Sequence, residues 1–159
     1  MTRTGQITFQ ASVPTFEPIK ATNQGTTAIL DTQNGELAVL ALVRGFRFRV
    51  ALMEEHFNEN YIESDTYPKT SFRGKIVDFD VSKLMDNLQK FTLQGVLSLH
   101  GVNQNIEIPV LVGTQGEQIK IMTDFSVRSE EYEIEIPKLV RKQIAEVVKI
   151  SVDLSMNPK

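Results

Sequence analysis

Val148-Lys149-Ile150-Ser151-Val152-Asp153-Leu154-Ser155-Met156 is the stretch that decides the fold. Every second residue is apolar, and the residues between are charged or carry a hydroxyl. Successive side chains of an extended chain point to opposite faces, so this pattern makes a strand with one dry side and one wet side. The same period recurs upstream. Ile7, Phe9, Ala11 and Val13 alternate with Thr8, Gln10 and Ser12, and Pro14 ends that run. A second strand is expected over 25–32. Asn34-Gly35 follows as a tight hairpin turn, because both residue types tolerate positive φ. Glu36 to Arg49 then reads as one long strand. Its first part, Leu37 to Val43, is continuously apolar, as expected of a strand covered on both faces. Its second part, Phe46-Arg47-Phe48-Arg49, alternates. Further strands are expected from Ser71 to Phe79, Phe91 to His100, Asn105 to Gly113 and Gln118 to Val127. Gly101-Val-Asn-Gln and Thr114-Gln-Gly-Glu form the turns between the last three.

The period changes twice. Leu52, Glu55, His56, Glu59 and Asn60 have helical spacing, which predicts one or two short helices over about 51–65, closed by Tyr67-Pro68. Glu131 to Ile136 alternates acids with Tyr132, Ile134 and Ile136 and reads as extended, at an edge. Pro137 suits the first position of a helix running to about Ala145. The expectation is all-β: eight substantial antiparallel strands closed into a barrel, with short helical insertions, in one domain over 1–159. Closure removes exposed strand edges. A barrel of this size holds either packed side chains or one small ligand.

Composition narrows the function classes. With 159 residues, 41% of them hydrophobic, the chain can bury a real core. The balance of 17 basic against 20 acidic residues gives −3, which argues against a nucleic-acid or anionic-surface binder. Phe46-Arg47-Phe48-Arg49 has the residue types that stack bases, but period two sends the rings and the guanidiniums to opposite faces, so no nucleic-acid partner is expected. No apolar run approaches the ~20 residues of a membrane span, so no integral span is expected. The chain has no cysteine, which excludes thiol nucleophiles, disulfides and zinc–thiolate sites.

Catalytic constellations are equally sparse. The two histidines, His56 and His100, stand in no metal-ligand spacing, and the nine glycines form no phosphate cradle. Glu54, Glu55, Glu59, Glu63 and Asp65 supply carboxylates that read as the solvated face of a helix. No catalytic residue, metal or cofactor is expected. His100 beside Gly101 reads as a residue flanking a turn.

From Leu52 to Gly74 the sequence resembles the central signature of the YceI-like family, a helical stretch with a histidine and aromatics leading into a Tyr/Phe-Pro-x-x-x-Phe strand start. The matching positions are His56, Phe57, Tyr61, Tyr67, Pro68 and Phe72. Phe91 to Val110 resembles the family's second signature, a strand ending in Leu-x-Leu-x-Gly-Val with its hairpin partner, here Leu97-Ser-Leu-His-Gly-Val. Thr123-Asp-Phe-Ser-Val resembles the Phe-rich strand that precedes the last helix and strand. The chain departs from the pattern in having no tryptophan near its first strand and in separating Phe57 from Tyr61 by Asn58-Glu-Asn. The resemblance implies a lipocalin-like barrel, export to the bacterial periplasm, and binding of polyisoprenoids or related long-chain lipids such as quinones. No signal peptide opens the chain at Met1-Thr-Arg-Thr-Gly, so an exported form implies a leader upstream; a cytoplasmic location stays open.

Together these readings give a small non-enzymatic barrel that carries or sequesters an isoprenoid, quinone or fatty-acid-like lipid in a central apolar cavity. The residues expected to line it are Phe46, Phe48, Phe72, Ile76, Leu93, Leu97, Leu99, Ile121, Phe125, Ile150, Val152 and Leu154. His56, Tyr61 and Tyr67 are expected near a headgroup. Two other readings stay open. One is a filled barrel acting through its surface, as an envelope-stress or interaction protein with Glu131 to Ile136 as contact strip; the other is a small metal-dependent hydrolase built on His56. A homodimer is compatible with either binding reading.

Overall fold

Alternating runs become strands, and the strands become a wall. The computed structural model describes residues 1–11, 19–48, 65–132 and 147–157. Its strands are β1 (Thr2–Ala11), β2 (Ile19–Leu30), β3 (Glu36–Leu42), β4 (Arg47–Phe48), β5 (Lys69–Ile76), β6 (Gln89–Leu99), β7 (Val102–Gln115), β8 (Gln118–Arg128) and β9 (Val147–Met156). All neighbours pair antiparallel in the order β1-β9-β8-β7-β6-β5-β3-β2-β4, and β1 also pairs with β2, which closes the sheet. β4 is a short continuation of β3 along the same edge of β2, so the barrel has eight wall positions, in the lipocalin-like manner. The expected helices over 51–65 and 137–145 fall outside the described residues, apart from Asp65, whose carboxylate pairs with the Arg44 guanidinium.

The long strand expected over 36–49 is interrupted. Val43 to Gly45 forms a single 3-10 turn, and the cause is Asn23. This buried side chain donates from Nδ2 to the Leu42 carbonyl at 3.0 Å and accepts on Oδ1 from the Gly25 N–H at 2.8 Å. Gly45 makes room for it, since a Cβ there would stand 2.6 Å from Asn23 Nδ2. The step lets the Val43 N–H reach the Pro68 carbonyl at 2.9 Å and turns both Val43 and Phe46 inward. Leu37 to Val43 is not covered on both sides either. Leu37 and Ala41 are buried, whereas Leu40 and Leu42 are 40% and 56% exposed. A single-walled barrel buries only one face of each strand, so an apolar outer face stays wet.

Turn chemistry corrects other boundaries. Between β2 and β3 only Gly35 takes positive φ, at 81°, and the loop is wider than an Asn-Gly pair. Asp31 and Asn34 brace it by accepting the Gln33 and Glu36 N–H groups at 2.9 Å each. Between β6 and β7 the turn is His100-Gly101, with φ of 55° and 73°, and β7 starts three residues before the expected Asn105. Positive φ at both central residues is the geometry that fits the twist of a two-residue hairpin. β5 stops at Ile76 rather than Phe79, where Asp78 takes φ 58°. Glu131 and Tyr132 belong to a 3-10 turn, Ser129–Tyr132, and not to an extended edge; 133–136 lie outside the described residues.

The core fills one half of the barrel. Ala28, Ile76, Val110, Val112, Leu154 and Met156 are packed there, with Leu37, Phe72, Leu93 and Ile121 above them. Gly5 makes room for Leu154 on the neighbouring strand, because a Cβ at Gly5 would stand 2.6 Å from Leu154 Cδ2. Gly74 and Gly95 are register partners on β5 and β6, and the Phe72 ring lies over both. Gly95→Ala is therefore expected to destabilise the fold by about 1–3 kcal/mol, at the upper end for a small-to-large change. Its Cβ would sit 2.6 Å from Gly74 Cα and closer still to the Arg73 carbonyl, and a sheet backbone cannot yield. A denaturant midpoint equal to that of the wild type would show that the two strands are not so close.

Candidate functional site

Above the packed half the barrel is hollow. The cavity has a volume of about 170 Å³. Most of the wall contributes: Ile7 and Phe9 from β1, Leu37, Val39 and Ala41 from β3, and Thr70, Ser71 and Phe72 from β5. β6 adds Leu93, Leu97 and Leu99, and β7 adds Ile106 and Ile108. β8 contributes Ile121, Thr123, Phe125 and Val127, and β9 Val148, Ile150 and Val152. Val43 and Phe46 complete the lining from the 3-10 step.

Among the described residues no charged side chain is in that lining, and its polar members are three hydroxyls. Two of these are committed to the wall. Thr70 Oγ1 donates to the Ser98 carbonyl at 2.8 Å, and Thr123 Oγ1 donates to the Pro109 carbonyl at 2.7 Å. A site with so little free hydrogen-bonding capacity cannot desolvate a charged or strongly polar group without loss, but accepts hydrocarbon readily. Dry apolar cavities of about 150 Å³ are known to bind a single small ring, and pockets for whole drug-sized ligands start near 300 Å³. This well has room for the end of a chain.

Aromatic packing shapes the wall beside Phe46. The Phe9 ring meets Phe46 at 5.2 Å and Phe48 at 5.6 Å, the second edge-on. Phe48 thus supports the lining without joining it.

Pro109 governs the opposite wall. β7 and β8 pair from Leu111↔Met122 to Gln115↔Gln118, and the ladder stops where proline lacks an N–H and the Thr123 hydroxyl takes its carbonyl. Beyond this point Ile106 and Ile108 face Phe125 and Val127 across the cavity's edge, and among the described residues no strand pairs with that side of β7. The Ser129–Tyr132 turn is tied there. Gln104 Nε2 donates to the Glu131 carbonyl at 2.8 Å, and His100 Nδ1 donates to the Tyr132 carbonyl at 3.0 Å. A carbonyl only accepts, so the bond fixes the proton on Nδ1. Tyr132 is buried, and burial, with the nearby Glu131 charge, holds its phenol above the usual range.

Of the fifteen residues that sequence reading proposed, the structure places Phe46, Phe72, Leu93, Leu97, Leu99, Ile121, Phe125, Ile150 and Val152 in the lining. Ile76 and Leu154 are corrected to the packed half, because they face inward but one layer too deep. Tyr67 is not in the lining either. Its ring stands edge-on to His100 at 4.4 Å and against Gly101. His56 and Tyr61 lie outside the described residues. The lining residues that were missed include Ile7 and Phe9, which the alternation of the first strand does signal, and Thr70 and Thr123, whose polarity hides their position. Among the described residues no three His, Asp or Glu side chains converge to hold a metal, and no helix is long and apolar enough to cross a membrane.

A closed antiparallel barrel of eight wall positions with an apolar well in one half defines the lipocalin-like class of fold. The chain matches the YceI-like domain over residues 2–156 and belongs to that family. Solved structures agree on the fold. The polyisoprenoid binding domain from Saccharophagus degradans, implicated in plant cell wall breakdown, superposes with a TM-score of 0.82 at 15% identity, over 98% of this chain and 95% of that one. BcnA of Burkholderia cenocepacia gives 0.79 at 15% identity, over 96% of each chain. The Campylobacter jejuni YCEI protein gives 0.69 at 13% identity, over 86% and 83%. Among curated proteins none matches the sequence.

Proposed function

We propose that this barrel is a non-enzymatic lipid-binding protein that holds the tail of an amphipathic isoprenoid, quinone or fatty-acid-like lipid, for transport or sequestration. One observation carries the reading: among the described residues the cavity lining has no charged side chain, and two of its three hydroxyls are already bonded to backbone. Each methylene that moves from water into such a well contributes about 0.8 kcal/mol, so a hydrocarbon tail gains affinity with no polar contact inside. The polar head then stays outside the lining. The likeness to a polyisoprenoid binding domain supports the isoprenoid end of this range. Export to the bacterial periplasm belongs to the same reading.

The test is mass. Protein purified without detergent is expected to be heavier in native than in denaturing mass spectrometry, and the difference should extract into organic solvent. A native mass equal to the bare chain, with no thermal stabilisation by added isoprenoids, quinones or fatty acids, would refute the proposal and favour a barrel that acts through its surface.

A further inference from the structure

The floor of the well is built from an unusual juxtaposition. Gly74 and Gly95 face each other in the β5–β6 register, so two adjacent strands present a stretch of inner wall with no side chain. Phe72, one step nearer the hollow half, folds its ring down onto that bare patch. A Cβ built on Gly74 would stand 2.5 Å from Phe72 Cζ, and one on Gly95 2.6 Å. The ring therefore takes the volume that the two glycines vacate. Beyond it Ile76 and Leu93 pair directly across the same two strands; Leu93 reaches the cavity lining, and Ile76 does not. Phe72 belongs both to the packed core and to the cavity lining, at the boundary between them.

Resting on the lipid-binding reading above, we infer that Phe72 sets the length of hydrocarbon the well accepts. Without its ring, the Gly74–Gly95 layer joins the cavity and the floor beside Leu93 drops to Ile76. One such layer, two residues of an inclined strand, is about 5 Å deep along the barrel axis and holds roughly four methylenes of extended chain. Phe72 is a specificity-determining residue in this sense: it sets where added chain stops gaining affinity, and it leaves the affinity per buried methylene unchanged.

The probe is a series of straight-chain primary alcohols from octanol to hexadecanol, with affinity measured for wild type and Phe72→Ala. In the wild type, affinity is expected to rise about fourfold per added methylene and then level off when the chain meets the Phe72 ring. In Phe72→Ala the rise should keep the same slope and level off about four methylenes later. Thermal melts show whether Phe72→Ala is folded. If it is not, Phe72→Leu carries the test, with a later break of one or two methylenes, roughly the difference between ring and isobutyl group. A break at the same chain length in wild type and folded variant overturns the inference while leaving lipid binding intact. A wild-type series that never levels off does the same. Failure of the wild type to bind any alcohol overturns both the inference and the function on which it rests.

Discussion

Ile76→Asp is expected to yield no folded barrel at neutral pH. Ile76 has no exposed surface at all and packs with Ala28, Val110, Val112 and Leu154. Among the described residues of that cluster no side chain donates a hydrogen bond. A carboxylate there would be stripped of water with nothing in exchange, at a cost of several kcal/mol even if it takes up a proton instead. The lost packing of isoleucine adds about 2–5 kcal/mol. Domains of this size are stable by about 5–15 kcal/mol in total, so the sum consumes most or all of the margin. Circular dichroism and a one-dimensional proton spectrum decide the matter. Ile76→Val is the control, and should lower stability by about 1 kcal/mol without loss of the fold. A soluble Ile76→Asp protein with a cooperative melt near that of the wild type would show that this half of the barrel is not dry.

Leu97→Glu should have the larger effect on binding. Leu97 is only partly buried, pairs with Phe72 across the β5–β6 ladder and faces the hollow half. Water can reach a carboxylate at this position when the well is empty and must leave when a tail enters. That desolvation is expected to cost about 3 kcal/mol or more, a loss of at least a hundredfold in affinity for dodecanol. Leu97→Met keeps volume and polarity and should bind nearly as the wild type does. Calorimetric titration of both variants, with melts to show that each is folded, gives the comparison. An unchanged affinity for Leu97→Glu would place the tail elsewhere on the molecule.

Much of the architecture is legible in the chain because period two is a strong signal wherever one face is wet. The alternation of Val148 to Met156 and of Ile7 to Val13 identifies strands and, with them, which residues face in. Legibility fails where a local device overrides the pattern. Within Leu37 to Phe48 Gly45 alone hints at a 3-10 step, and the side chain it accommodates, Asn23, is a polar residue on another strand. His100 forms the turn that its place beside Gly101 marks only as flanked, since its positive φ depends on hairpin geometry more than on residue type.

The site follows the same division. Facing was readable, depth was not. Ile76 and Leu154 point inward as the alternation says, but the sequence carries no mark for the level at which the barrel stops being full. That level is set by Gly5, Gly74 and Gly95, whose missing side chains let Leu154 and Phe72 swing into their places. Thr123 lines the cavity despite its hydroxyl because Pro109 leaves a carbonyl for it to satisfy.

The split of the barrel into a filled half and a hollow half separates two duties that most small domains load onto the same residues. Below Phe72, side chains answer to the fold alone. Above it, the side chains also face the well, on a wall whose ladders are continuous except where β7 parts from β8 beyond Pro109. Chains that share only 13–15% of their residues with this one keep the same fold.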